Sequence, residues 1–220
     1  MTNSKLHLFL LKSPPASLHI IGVIYLLPSL LLYFVSEDLK FALLIDDLTF
    51  FESFSNIWFP SAAFLNEGGL FRPIVSTINL IDYSLWGTNA FGYHLTNALI
   101  HLINIQLVYH FTLRLFKNVN ISFLCSAIFL FHPILANSIY WISGRTDMVA
   151  CSFYLTSLII TDKYLKGMDL KYFILSQVSF LAALLSKEIS ITLPLAQLWL
   201  ILYHRYLLEK DIDLKPVITR

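Results

Sequence analysis

Residues 92–116, GYHLTNALIHLINIQLVYHFTLRLF, decide how this chain is read. No aspartate or glutamate interrupts the stretch, and its one formal charge, Arg114, falls near the end. It exceeds the roughly 20 apolar residues that a helix needs to cross a hydrocarbon core. His94, Asn97, His101 and Asn104 recur at helical spacing, so they share one face of that helix. A polar stripe of this kind turns toward neighbouring helices and hydrogen-bonds across to them. One span with such a stripe therefore predicts others around it.

The rest of the chain supplies them. The 220 residues are 57% hydrophobic and 13% charged, against about 25% charged in an ordinary soluble domain. The apolar residues gather into runs at about 18–35, 92–116, 121–140, 148–165, 172–186 and 189–204. The expected fold is all-α, a polytopic membrane bundle of about six transmembrane helices. The first run is followed by SEDLK without a small-residue cleavage pattern, so it reads as a retained signal anchor. Residues 36–91 are semi-polar, and stretches such as LTFFESFSNIWF mix aromatic with charged residues. That mixture suits helices lying in the membrane interface.

Of the 15 lysines and arginines, Lys40, Arg72, Arg145 and Lys187 fall on one side of a six-span layout and the other eleven share the side of the termini. This positive-inside bias makes both termini cytoplasmic. The domain organisation is then a cytoplasmic segment 1–17, a membrane domain 18–204 with outer loop 36–91, and a cytoplasmic tail 205–220. A net charge of +1 excludes the basic footprint of a nucleic-acid binder. Cys125 and Cys151 lie in apolar runs and read as packing residues.

The chemistry-bearing residues fall on the outer side. Lys187-Glu188 separates two apolar runs too short to cover a core of about 30 Å. Ionisable residues at that depth default to a functional role; the alternative is a snorkelling lysine paired to its neighbour. Asp46-Asp47 follows the first run. A carboxylate there has the chemistry of a general base or of a divalent-cation ligand, or it is a solvated acidic turn. His132-Pro133 breaks the third run; the histidine is placed to meet a phosphate oxygen or move a proton, or simply marks a kink. His94 is the polar-stripe member nearest the outer surface. Together the acidic pair with Arg72, Arg145, Lys187 and His132 has the parts for transfer from a lipid phosphate: a base for the acceptor and cations for the departing phosphate.

The stretch FRPIVSTINLIDYSLWGTNAFGYHLTNALIHLINIQLVYHFTLRLF, with FHPILANSIYWISGRTDMVACSFYL and LLSKEISITLPL after it, resembles the GT-C superfamily of membrane glycosyltransferases. It is most similar to the transmembrane-and-TPR O-mannosyltransferases and their bacterial relatives, over about residues 40–200. The resemblance implies a GT-C-like bundle and an inverting transfer from a polyprenyl- or dolichyl-phosphate sugar to a hydroxyl acceptor, on the outer or luminal face. It maps catalytic roles onto Asp46 and Asp47. The RP, GR, SKE and HP elements map onto Arg72, Arg145, Lys187 with Glu188, and His132; Asp147 and His94 stand as supporting residues. A divalent cation is left open. The bacterial inner membrane is favoured over the endoplasmic reticulum. The competing expectation is a non-catalytic subunit that keeps the module and docks to a membrane protein complex.

Overall fold

A computed structural model of the chain describes residues 14–31, 50–60 and 70–209. Among them every regular element is helical: α1 (Pro14–Leu26, passing into a 3-10 turn Leu27–Leu31), α2 (Phe50–Trp58), α3 (Pro73–Trp86), α4 (Ala90–Phe116), α5 (Val119–Phe131), α6 (Ala136–Tyr140), α7 (Arg145–Gly167), α8 (Leu170–Leu184) and α9 (Leu193–Glu209). The all-α expectation is met. Asp46 and Asp47 lie outside the described residues, as does much of the 36–91 segment; the described parts of that segment are α2, α3 and the start of α4.

Local chemistry sets the boundaries. Pro73 opens α3, where its missing N–H costs nothing. Asn89, Asn118 and Asp169 cap α4, α5 and α8 by accepting backbone N–H bonds in the first turn. Pro133 ends α5: His132 before it is extended, as a residue preceding proline must be. The chain continues through a 3-10 turn, Pro133–Leu135, into α6.

α4 is the organising helix. It packs against α1, α3, α5 and α7, and α7 in turn carries α8 and α9. Leu18, Ile105, Tyr109 and Leu130 form one buried apolar cluster between α1, α4 and α5. Leu26, Ala98, Ile139 and Met148 form a second where α1, α4, α6 and α7 meet. Beside these clusters the interior is unusually polar. His94, Asn97, His101 and Asn104 are all buried on the inner face of α4. Asn104 donates to the Met148 carbonyl at 2.8 Å and accepts from Ser152 at 2.7 Å, and His101 stacks on Phe129. Ser157 and Thr161 of α7 meet Gln197 of α9 in the interior. Meanwhile Ile24, Leu99, Ile103, Leu124, Ile128, Val178, Leu181, Leu195 and Leu202 face outward. A water-soluble domain seldom exposes so much continuous apolar surface.

The span count is narrower than the apolar runs suggested. Among the described residues α4 alone is long and apolar enough to cross a membrane unaided; its 27 residues rise about 40 Å. The third run is a bent pair, with 48° between Val119–Phe131 and Pro133–Tyr140. The fourth, in α7, carries Asp162, Lys163 and Lys166 within its last two turns. The first and fifth are shorter apolar helices. The six-span count is therefore not established by helix length and composition.

Gly144 shows how tightly the turn before α7 is built. A Cβ on it would lie 2.7 Å from the Asn137 carbonyl oxygen and 2.9 Å from Ser138 Cα. Both are backbone atoms, which cannot swing aside. We expect Gly144→Ala to cost about 1–3 kcal/mol, the usual penalty for overpacking, seen as a lowered thermal midpoint of the purified protein in detergent. An unchanged midpoint would show that this turn is free to relax.

Candidate active site

Three ionic groups lie along α7 and its neighbours, and their settings differ sharply. At the start of α7, Arg145 is completely enclosed, with 0% of its surface exposed. Its Nη1 donates to Asp82 Oδ2 of α3 at 2.6 Å, its Nε to Asn97 Oδ1 at 2.9 Å and its Nη2 to the Tyr93 carbonyl at 3.0 Å. The guanidinium also lies over the Tyr93 ring, 5.7 Å from its centre. Asp82 uses its other oxygen to accept from Thr96 at 2.7 Å. The Asn97 amide donates onward to the carbonyls of Ile139 and Trp141, each at 3.4 Å. One side chain thus ties α3, α4, α6 and α7 together.

The second group lies at the break between α8 and α9. Lys187 pairs with Asp147, in the first turn of α7. Glu188 pairs with Arg72, which immediately precedes α3, through two parallel bonds: Nε to Oε1 at 3.0 Å and Nη2 to Oε2 at 2.8 Å. Lys187 is in extended backbone, so neighbouring side chains diverge and the two residues reach different elements. The Arg72 guanidinium holds the Glu188 carboxyl below its ordinary value of 4.5.

A third group sits near the far end of α7. Buried Asp162 accepts from Arg114 at 2.8 Å and Lys166 at 2.8 Å, and contacts His204 Nε2 at 2.9 Å. It joins α4, α7 and α9. From Arg145 to Asp162 the helix rises about 25 Å, so the two buried carboxylate networks occupy opposite ends of the bundle.

These settings sort the candidate cations. Partly exposed ion pairs are worth only about 0–1 kcal/mol, so the Arg72–Glu188 and Lys187–Asp147 pairs cost little to break. Breaking a buried pair by removing one partner costs about 3–5 kcal/mol. The sequence reading grouped Arg145 with the phosphate-binding cations; its enclosure makes it a brace, reached by a phosphate only if the helices part. His132 is exposed, and its Nδ1 accepts from the Ile134 N–H at 3.3 Å, which leaves the ring proton on Nε2 in the neutral form. His94 is buried on the inner face of α4. Asp147 and Glu188 stand beside the exchangeable cations. Ala136, Asn137, Tyr140 and Trp141 line an open pocket of about 430 Å³. Among the described residues no group of three or more metal-ligating side chains forms a metal site; the Asp46-Asp47 pair falls outside them.

Sequence reasoning did not single out Asp82, Asn97 and Asp162 for these ionic networks. The signal for Asp82 was a lone carboxylate within the apolar Pro73–Trp86 helix. For Asp162 it was a carboxylate next to Lys163 in an apolar run. Asp82's partner Arg145 is distant in sequence, whereas Asp162 has one partner nearby, Lys166, and two distant ones, Arg114 and His204.

An all-helical chain with a polar interior, an apolar exterior and an ionic cluster at a helix break is the class of protein these features define. Residues 73–216 match the family model described as dolichyl-phosphate-mannose-protein mannosyltransferase, and the chain belongs to that family. Such mannosyltransferases are membrane-associated. The chain is 26% identical over 164 residues to protein O-mannosyl-transferase Tmtc1 of Drosophila melanogaster, an alignment covering 72% of this chain and 19% of the fly protein. It is 30% identical over 148 residues to Drosophila Tmtc2, covering 64% and 16%, and 30% identical over 90 residues to human TMTC1, covering 40% and 10%. The chain thus spans about a fifth or less of the length of these relatives. No solved structure matches it.

Removing either partner of the enclosed pair, by Arg145→Gln or Asp82→Asn, is expected to lower stability by about 3–5 kcal/mol. Arg72→Gln is expected to lower it by about 1 kcal/mol or less. Equal losses in thermal melting would contradict the distinction between brace and exchangeable cation. The Glu188 pair also predicts a pH dependence. A carboxyl depressed in the folded state contributes stability above its unfolded value, and that contribution fades as pH falls through the folded value. It is intact at neutral pH and is lost only below the ordinary glutamate range. Glu188→Gln should remove this component from an acid melting series.

Proposed function

We propose that the chain is a glycosyltransferase that moves a sugar from a polyprenyl- or dolichyl-phosphate donor to a hydroxyl acceptor. The names of its relatives point to mannose as the sugar. The observation that carries this reading is the pairing of Arg72 and Lys187 with partly exposed carboxylates at one helix break, with Lys187 inside the 73–216 family match and Arg72 immediately before it.

In this mechanism Asp46 or Asp47 takes the proton of the acceptor hydroxyl. The acceptor oxygen attacks the anomeric carbon from the face opposite the phosphate, the bond to the phosphate oxygen breaks, and the lipid phosphate leaves with the electron pair. Arg72 and Lys187 stabilise the charge that develops on it, with His132 as a further donor. Arg145 holds the start of α7, and with it Asp147, in position. The apolar runs support a bundle of about six spans, and the excess of lysine and arginine on the side of the termini supports cytoplasmic ends. The reaction then occurs on the outer face, which following the resemblance to bacterial relatives is the periplasmic face of an inner membrane.

The full chain in nanodiscs, supplied with radiolabelled polyprenyl-phosphate mannose and a serine/threonine peptide, tests this. Asp46→Asn with Asp47→Asn should reduce transfer by about 10²–10⁴-fold, the usual contribution of a general base, with the melting temperature preserved. Full transfer by the double variant would refute the assignment. Absence of transfer by the wild type, together with stoichiometric co-purification of a membrane protein, would favour the docking-subunit reading instead.

A further inference from the structure

The two ion pairs at the α8–α9 break share an asymmetry. In each, the carboxylate is the more exposed partner: side-chain exposure is 57% for Glu188 against 21% for Arg72, and 48% for Asp147 against 27% for Lys187. The acids are the more accessible partners and the cations the more covered ones. An anion approaching from outside therefore meets Glu188 and Asp147 first. It reaches Arg72 and Lys187 by taking the places those carboxylates hold.

We propose that Glu188 and Asp147 are resident counter-ions: they occupy the anion seats of Arg72 and Lys187 until a phosphate monoester or diester displaces them, and so set the affinity for the donor. This rests on the donor-phosphate reading of the two cations. The geometry suits exchange. Glu188 presents two oxygens to Nε and Nη2 of Arg72 in the fork arrangement that a phosphate also satisfies. Lys187 is a point charge on a flexible stem and can follow an anion over a short distance.

The exchange also has a mechanical consequence. Lys187 and Glu188 are adjacent, and their partners belong to α7 and to the residue before α3. With the pairs closed, the break between α8 and α9 is tied to both. Displacement of both carboxylates unties Glu188 from Arg72 and Lys187 from Asp147 together. Donor binding thereby loosens the link between the α8–α9 break and the two elements that flank it. Resident counter-ions also serve the empty state, since they keep two cations of the outer end paired when no donor is bound.

The test is calorimetric titration of the full chain in nanodiscs with farnesyl phosphate, using farnesol as the uncharged control. The Glu188→Gln, Asp147→Asn double variant should bind farnesyl phosphate about tenfold more tightly, as expected when two weak competing pairs are removed. Each single variant should show part of that gain. Farnesol binding should stay constant. Arg72→Gln with Lys187→Gln should weaken farnesyl phosphate binding at least about tenfold, the loss of two charge-assisted contacts. Thermal melting separates this from a merely structural role. Removing the pairs should lower the midpoint slightly while affinity rises, whereas a structural role lowers both.

Unchanged or weaker binding in the carboxamide variants would overturn the proposal. So would a wild type that does not distinguish farnesyl phosphate from farnesol. Should the double variant fail to fold, the two single variants carry the same test. The transferase reading fails separately: if phosphate binding behaves as described while Asp46→Asn with Asp47→Asn retains full transfer, the counter-ion assignment stands and the assigned catalytic base does not.

Discussion

A guanidinium shut away from water must find its hydrogen bonds in protein, and Arg145 finds them on α3 and α4 at once. Asp82 supplies the opposite charge, while Asn97 and the Tyr93 carbonyl take further N–H groups. The arrangement is expensive to disturb, because any partner lost leaves a charge uncompensated in a low-dielectric interior. The placement of this end of the bundle follows from it. Asn97, held by Arg145, fixes the carbonyls of Ile139 and Trp141. Gly144 lets the turn before α7 lie against the backbone of α6. Asp147 then emerges from the first turn of α7 to meet Lys187.

That rigid brace stands beside a cluster of the opposite character. The Arg72–Glu188 and Lys187–Asp147 pairs are partly exposed, and pairs of this kind contribute little net free energy. Such weakness suits the anion exchange we propose for this site. The same end of the bundle therefore combines a strong ionic tie, which positions elements, with weak ones that cost little to break. The far end has its own tie, where Asp162 gathers Arg114, Lys166 and His204 from three helices. Between the two ends, serines, threonines and amides fill the interior and aliphatic side chains cover the outside. This polarity matches a lipid surround, in which helix association depends on packing and interhelical hydrogen bonds because the solvent is as apolar as the side chains.

Much of this was legible in the chain. The helical spacing of His94, Asn97, His101 and Asn104 announced an inward polar face, and all four residues are buried there. The Pro133 break was visible as a break, though not as the bent pair of helices it makes with α5 and α6. Lys187-Glu188 stood out as charge between two short apolar runs, and it lies at a helix break with both charges paired. The choice of partners was not legible. Arg145 looked like Arg72 in sequence, an outer-side arginine in a short motif. Only burial separates a brace from a cation that can exchange its partner.

By itself the sequence determined the helical class, the apolar character of its long runs, the family, and the Lys187-Glu188 charges between two of those runs. These are properties of local composition and spacing, which adjacent residues specify together. The tertiary structure decided which charges are enclosed and which are partly exposed, that Asp82 and Asp162 anchor opposite ends, and that the acids at the α8–α9 break are more exposed than their cations. Those outcomes depend on desolvation and on contacts between residues tens of positions apart. The energy of an ion pair is set by its surroundings, and the surroundings exist only once the helices have packed.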